Sequence, residues 1–258
     1  MINYQQSTHN NDEKNYSLLN LVLSDNWVSY ALSDHLGRNY QFRSTDRKDN
    51  TPENIISDMS SRYPGLKIRV ALLDNYQTLI PEALHKSEDE VDYLMHSCPL
   101  EGEVMSGSDT IYSQGLKNIY RIETDQYLGW DNMESIRFHH YLSPLLTFLP
   151  KRGQHAFLVW LHDRLVVLTC SQESIQYCNS LPCDSVESAL YYILLAYKMS
   201  GFDRRETPLT MIGRFRKDSD LYKAFYKYFQ NIELPAVPNV EREVAHQFFD
   251  MYLQSKYI

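Results

Sequence analysis

Two short stretches place an aspartate at the bend between apolar runs. In LVLSDNWVSYAL (Leu21 to Leu32) the polar tip is Ser24-Asp25-Asn26, and in LVWLHDRLVVLTC (Leu158 to Cys170) it is His162-Asp163-Arg164. A carboxylate on such a bend can hold magnesium directly or through water, and an arginine beside it can contact phosphate. The simpler role is local, because Asp and Asn side chains bond their own backbone and stabilise tight turns. Asp25, Glu53 and Asp74 also follow the chain order of a two-metal nuclease. That chemistry needs the first aspartate inside a central strand. Asp25 instead lies at a turn, and Glu53 falls in the first turn of a helix, where dipole compensation accounts for it.

Other chemistry is poorly supported. His139 and His140 are adjacent, which on a helix points them about 100° apart, and His155 and His162 fall on opposite faces of a strand. No HxxxH or HExxH spacing occurs, so no metal site is expected. The chain has no GxSxG, GxxxxGK[ST] or GxGxxG, and no nucleophile motif sets a Ser or Cys against a His as its base. Cys98, Cys170, Cys178 and Cys183 form no CxxC pair. Cys170 and Cys178 fall on neighbouring strands but read as reduced buried thiols, which places the protein in the cytoplasm. The formal net charge of -8 argues against a nucleic-acid partner. The best candidate for a local basic stretch, GRFRK (Gly213 to Lys217) with Lys223 and Lys227 beyond it, reads as a solvated helix flank.

The elements that would position these residues follow from periodicity. At 258 residues and 43% hydrophobic, the chain can bury a full core. MINYQQSTHNNDEKN is polar, so it reads as a frayed tail and as neither a signal nor an anchor. No apolar run reaches the length of a membrane span. Strand patterns run through SLLNLVLSD, NWVSYALSD and YQFRS, with a turn at His35 to Asn39. NTPENIISDMSSRYPG is a helix with Asn50 or Thr51 as cap, Pro52 in its first turn and Ile55, Ile56 and Met59 as its buried stripe. LKIRVALLD and YQTLIP are strands, SEDEVDYLMHSC a helix, and Glu101 to Trp130 two or three strands of an inserted subdomain. MESIRFHHYLSPLLTFLPKRG reads as a helix interrupted at Pro144.

The second half repeats this order. HAFLVWLHD, RLVVLTCS and SIQYCNSLP are strands, CDSVESALYYILLAYKMSG a helix ended by Gly201, and TPLTMIGRF a strand. KDSDLYKAFYKYFQ is a helix, NIELPAVP a strand, and NVEREVAHQFFDMYLQSKY a last helix. In LYKAFYKYF, Leu221, Phe225 and Phe229 share the core face, leaving Tyr222, Lys223, Tyr226 and Lys227 outward or sideways. Those aromatics either pack under the last helix or form a patch for a partner. On the last helix, Val244, Phe248, Met251 and Tyr252 share one face, suited to docking in cis or to a dimer contact.

Each half therefore reads strand-strand-strand-helix-strand-helix, a duplicated α/β arrangement of two lobes across a cleft. Residues 1–15 form the tail, 16–153 the first lobe with an insertion at about 76–130, and 154–258 the second lobe. This order resembles the actin-like ATPase superfamily, built from two ribonuclease-H-like lobes. More closely, the chain resembles an uncharacterised family of bacterial cytosolic proteins with that fold, in the style of the cell-division and type IV pilus-assembly members. VALLDNYQTLIPEALHKSEDEV (Val70 to Val91) carries the likeness best, as the start of an inserted subdomain.

The resemblance implies a nucleotide site with three signatures: an Asp-x-Gly hairpin tip in each lobe, and a Gly-Gly turn where adenosine packs. Glycine is needed because phosphate must approach the backbone closely and amides must converge on it. Here Asp25 and Asp163 occupy the aspartate positions, but Trp27 and Leu165 stand where glycine belongs. Gly213 is present, followed by Arg214 and Phe215 in place of a second small residue. The site is expected to be degenerate, with Asp25, Asn26, Asp163, Arg164, Gly213 and Arg214 as its remaining candidates. The expected function is a non-catalytic scaffold or protein-interaction module without a cofactor, whose partner is another protein or a second copy. The alternative is a Mg-ATP binding protein or weak ATPase using Asp25 and Asp163 around magnesium with Gly213 under the base. A ribonuclease-H-like nuclease on Asp25, Glu53 and Asp74 is the remote alternative.

Overall fold

The apolar runs on either side of Asp25 form the strands Leu18–Leu23 (β2) and Trp27–Ser33 (β3), buried on both faces as central strands are. The structure, a computed structural model, describes residues 6–7, 16–34, 41–74, 76–97, 104–122, 136–150, 152–161, 163–172, 174–238 and 240–257. The expected turn at 35–39, Cys98, His162 and the stretches 101–103 and 123–135 lie outside them.

β3 continues antiparallel to Gln41–Asp46 (β4), and the chain crosses through helix Pro52–Arg62 (α1) to Lys67–Leu72 (β5), parallel to β2. Thr51 is the cap of α1, accepting the Asn54 N–H, with Pro52 at the first position and Ile55, Ile56 and Met59 buried. These three pack on Leu19, Leu21, Ile68 and Val70, one face of the sheet. Within the expected tail, Gln6–Ser7 (β1) is a strand that pairs with the outer edge of β4, where ladder groups would otherwise lack partners.

The insertion folds as a three-stranded antiparallel sheet of Gln77–Pro81 (β6), Met105–Ile111 (β7) and Leu116–Ile122 (β8), in the order β6-β8-β7, with helix Glu90–Ser97 (α2). The chain then departs from the expected helix over Met133 to Gly153. Ile136–His140 is a strand (β9) lying parallel to β5, and among the described residues of that stretch only Leu142–Thr147 (α3) is helical. A free edge on β5 offers a full ladder, which outweighs the helical reading of a short apolar run. Pro144 sits within the first turn of α3, where its missing N–H breaks no bond.

The second half builds Gln154–Trp160 (β10), Arg164–Ser171 (β11) and Ser174–Pro182 (β12) as an antiparallel meander. Helix Val186–Ser200 (α4) is capped by Ser185 and ended by Gly201 at φ +67°, and it leads to Leu209–Gly213 (β13), parallel to β10. Asp220–Tyr226 (α5), Ile232–Glu233 (β14) and Phe249–Lys256 (α6) complete the chain. The two large sheets have matching orders, β4-β3-β2-β5-β9 with β1 outside β4, and β12-β11-β10-β13-β14. The expected long last helix is shorter, with Ala245–Gln247 forming a separate 3-10 turn. There His246 Nε2 and Gln247 Nε2 both donate to the Phe215 carbonyl, bonds that hold this segment to the loop after β13.

The chain divides into two compact units, Met1–Thr147 with Gln254–Ile258, and Phe148–Leu253. The last residues, expected in the second lobe, thus belong to the first unit: Arg69 donates to the carbonyls of Ser255 and Tyr257, and Gln254 Nε2 to that of Tyr141. Among the described residues, no helix is long and apolar enough to cross a membrane.

Candidate functional site

The first hairpin tip is closed by serine. Ser24 N–H donates to the Trp27 carbonyl at 3.0 Å, and Trp27 N–H donates to Ser24 Oγ at 3.2 Å. Arg47 engages the outer side, its Nη1 donating to the Ser24 carbonyl at 3.0 Å and its N–H to the Asn26 carbonyl at 2.9 Å. Asp25 and Asn26 are exposed, and Trp27 is half-buried as the first residue of β3, opposite Asp46.

At the second tip, Leu161 N–H donates to the Arg164 carbonyl at 2.9 Å and Cys183 N–H to the Asp163 carbonyl at 3.0 Å. Asp163 is half-buried. Arg164 is not the solvated tip residue its position suggests. It is 5% exposed, because β11 already begins there and pairs it with Pro182. Leu165, in the glycine position, is fully buried among Leu158, Val167, Ala189 and Phe215. Among the described residues, Gln172 alone of the non-glycines has a positive φ, so Trp27, Asp163 and Leu165 all keep ordinary backbone conformations.

The turn after β13 is filled by the chain itself. Gly213 has φ +120°, and a Cβ there would stand 1.9 Å from the Trp160 carbonyl oxygen. That oxygen accepts the Arg214 N–H at 2.9 Å. The Arg214 side chain is buried against Asp250, with Nη1 to Oδ1 at 3.1 Å, and lies over the Phe248 ring at 5.6 Å. Phe215 packs on His246, ring centroids 4.6 Å apart.

The nuclease arrangement does not form. Asp74 Oδ2 takes Arg121 Nε at 2.9 Å, Asp74 Oδ1 takes the Tyr76 N–H, and Glu53 is exposed at the start of α1. Among the described residues, no three His, Cys, Asp or Glu side chains converge as a metal site. Cys170 and Cys183 are free thiols, and in the β11–β12 ladder Cys178 stands opposite Leu168 and Cys170 opposite Ile175. Burial pushes the Cys170 thiol up to about 11, which leaves it unreactive.

One polar cluster escaped the reading of the sequence. Asp109 Oδ2 accepts Ser143 Oγ–H at 2.5 Å and the His140 N–H at 2.7 Å, while Asn118 Nδ2 reaches Ser143 Oγ at 3.0 Å and His140 Nδ1 at 3.1 Å. The Asp, His and Ser make up a triad in composition only. His140 Nδ1 also accepts the Leu142 N–H, so its proton sits on Nε2, facing the Asp74 carbonyl at 3.3 Å. The imidazole therefore offers Ser143 no general base, the hydroxyl proton goes instead to Asp109, and all four side chains are buried. Burial pushes His139 and His140 down to about 4, keeping them neutral. These residues come from β7, β8, β9 and α3, and the one local hint was Ser143 three residues after His140.

Burial pushes the Asp109 carboxyl up to about 6 despite its hydrogen bonds from Ser143, His140 and Tyr120. A raised carboxyl holds its proton more tightly folded than unfolded. Its contribution to stability is therefore complete below 3.8 and lost as pH rises through about 6. Asp109→Asn keeps an acceptor for Ser143 and His140 and offers an N–H to Tyr120. The variant is expected to gain on the wild type between pH 4 and 6, reaching on the order of 2–3 kcal/mol above pH 6. Urea midpoints across that range check it, and a gap that does not change with pH would exclude Asp109 as the source.

With this geometry in view, the chain can be placed among known proteins. Residues 6–232 match the family described as "Protein of unknown function (DUF3822)". No curated protein matches. A Bacteroides thetaiotaomicron protein of actin-like ATPase fold and unknown function superposes with TM-score 0.75 at 16% identity, covering 94% of this chain and 96% of its own. A structure of the PilM–PilN type IV pilus biogenesis complex superposes with TM-score 0.57 at 12% identity, covering 94% and 99%. At these identities the likeness is one of fold, the actin-like ATPase fold.

Proposed function

The chain belongs to the DUF3822 family and has the actin-like ATPase fold, and from that premise we propose that it is a non-catalytic, cytoplasmic scaffold or protein-interaction module with a degenerate nucleotide site. The observation that carries this reading is the backbone at the two hairpin tips. A phosphate nest alternates right- and left-handed residues so that successive amides converge. Trp27 and Leu165 replace the glycines that would allow this, and neither has a positive φ. Two further features point the same way. Leu165 is part of the core, and the lack of a side chain at Gly213 admits the Trp160 carbonyl. These residues do not fit bound Mg-ATP. The partner is another protein or a second copy of this chain, in keeping with the PilM–PilN match being to a complex.

The exposed Asp25 and Asn26 favour one second reading, a Mg-ATP binding protein with a weakened site. Binding to the folded state raises stability by RT ln(1 + [L]/Kd), so millimolar Mg-ATP lifts the melting temperature of a true binder by several degrees. No shift is expected here. A rise of several degrees that Asp163→Ala abolishes would overturn the scaffold reading.

A further inference from the structure

The second unit carries a pocket of about 450 Å³ lined by Arg204, Arg205, Tyr226, Lys227, Tyr228 and Phe229 together with Gln230. We propose that this pocket is a docking site for an acidic segment of a partner protein; the partner follows from the scaffold reading above. Three cations face the pocket and no carboxylate lines it, in a chain whose net charge is -8. The positive potential is therefore local, and it selects a short acidic stretch over a long polyanion, which the rest of the surface repels.

The walls are set in advance by hydrogen bonds to backbone groups. Gln230 N–H donates to the Arg204 carbonyl at 3.3 Å, and Asn231 Nδ2 donates to the carbonyls of Arg205 and Glu206 at 3.0 and 3.1 Å. Asp203, on the same loop, turns its carboxylate to the Arg205 N–H at 2.7 Å. On the opposite wall, Phe229 is held in the core by Phe225 and Tyr197, with ring centroids 5.9 and 5.1 Å away. That anchorage leaves Tyr226 66% and Tyr228 42% exposed. The Arg204 guanidinium lies 5.9 Å from the Tyr228 ring centre, a cation–π contact that orders the arginine while leaving its N–H groups available to a carboxylate. Exposed tyrosine and arginine on a preset backbone are the residue types that dominate binding at interfaces. The volume admits a few side chains of a peptide, not a folded surface.

The test uses the full chain and fluorescence anisotropy with a short labelled peptide of alternating glutamate and tyrosine. Controls are the same peptide with glutamine for glutamate and a single DNA strand of equal charge. The glutamate peptide is expected to bind at least about tenfold more tightly than the glutamine one. Arg204→Glu with Lys227→Glu is expected to remove binding without changing the melting temperature. If that double variant misfolds, Arg205→Gln alone should weaken binding severalfold. Equal binding of both peptides, preference for DNA, or binding that survives the substitutions would overturn the proposal. Such a failure leaves the Mg-ATP result untouched, and an ATP-induced shift would sink the scaffold reading without altering the peptide result.

Discussion

Gly213→Ala is expected to destabilise the second unit by about 4 kcal/mol or more, a large share of a typical domain's total stability. Two costs combine. At φ +120° an L-residue is strained by about 1–3 kcal/mol wherever it sits. The added Cβ would also stand 1.9 Å from the Trp160 oxygen and 2.7 Å from its carbonyl carbon. That carbonyl cannot step aside, because β10 is held between β11 and β13 and the oxygen also accepts the Arg214 N–H. Relieving the clash would require opening the β10–β13 ladder at its end. The denaturant midpoint measures the loss. A drop under 1 kcal/mol would show that Gly213 is not placed there by this contact, and a ligand would regain its claim on the glycine.

Removing one partner of the Arg214–Asp250 pair is expected to cost about 3–5 kcal/mol, because the remaining buried charge loses its counter-charge. Their side chains are 5% and 3% exposed, so solvent cannot compensate either charge. Asp250→Asn tests this with least change in shape. Replacing both, as Arg214→Met with Asp250→Leu, should recover most of the loss, since an apolar pair of similar volume removes the desolvation penalty at both ends. Urea unfolding of the two single variants and the double variant forms a cycle that isolates the pair. Single variants as stable as the wild type would mean that Arg214 is free to serve another ligand.

Both results bear on function, since Gly213 and Arg214 are the two nucleotide-site candidates expected at this turn. Their local positions could be read from TMIGRF, but their present use could not. Asp250 is far from Arg214 in the chain and joins it only because α6 returns to the end of β13. Arg164 shows the same limit. It reads as a tip residue, but strand pairing with Pro182 draws it to 5% exposure. The Asp109 cluster was illegible for a stronger reason, as its residues are supplied by four separate elements.

The meanders around Asp25 and Asp163 and the helices α1 and α4 were determined by the sequence alone, while the choice of Thr51 over Asn50 as the cap of α1 and of Ser185 as the cap of α4 came with the structure. Their signals are local: apolar runs bounded by turn residues, and a hydroxyl placed to accept the first free N–H. The duplication followed from the order of those elements. Tertiary structure decided the rest. It drew Ile136–His140 out of a helical pattern and into the sheet, paired Gln6–Ser7 with β4, and shortened the last helix. In each case, hydrogen-bonding groups distant in the chain offered partners that outweighed a weak local preference.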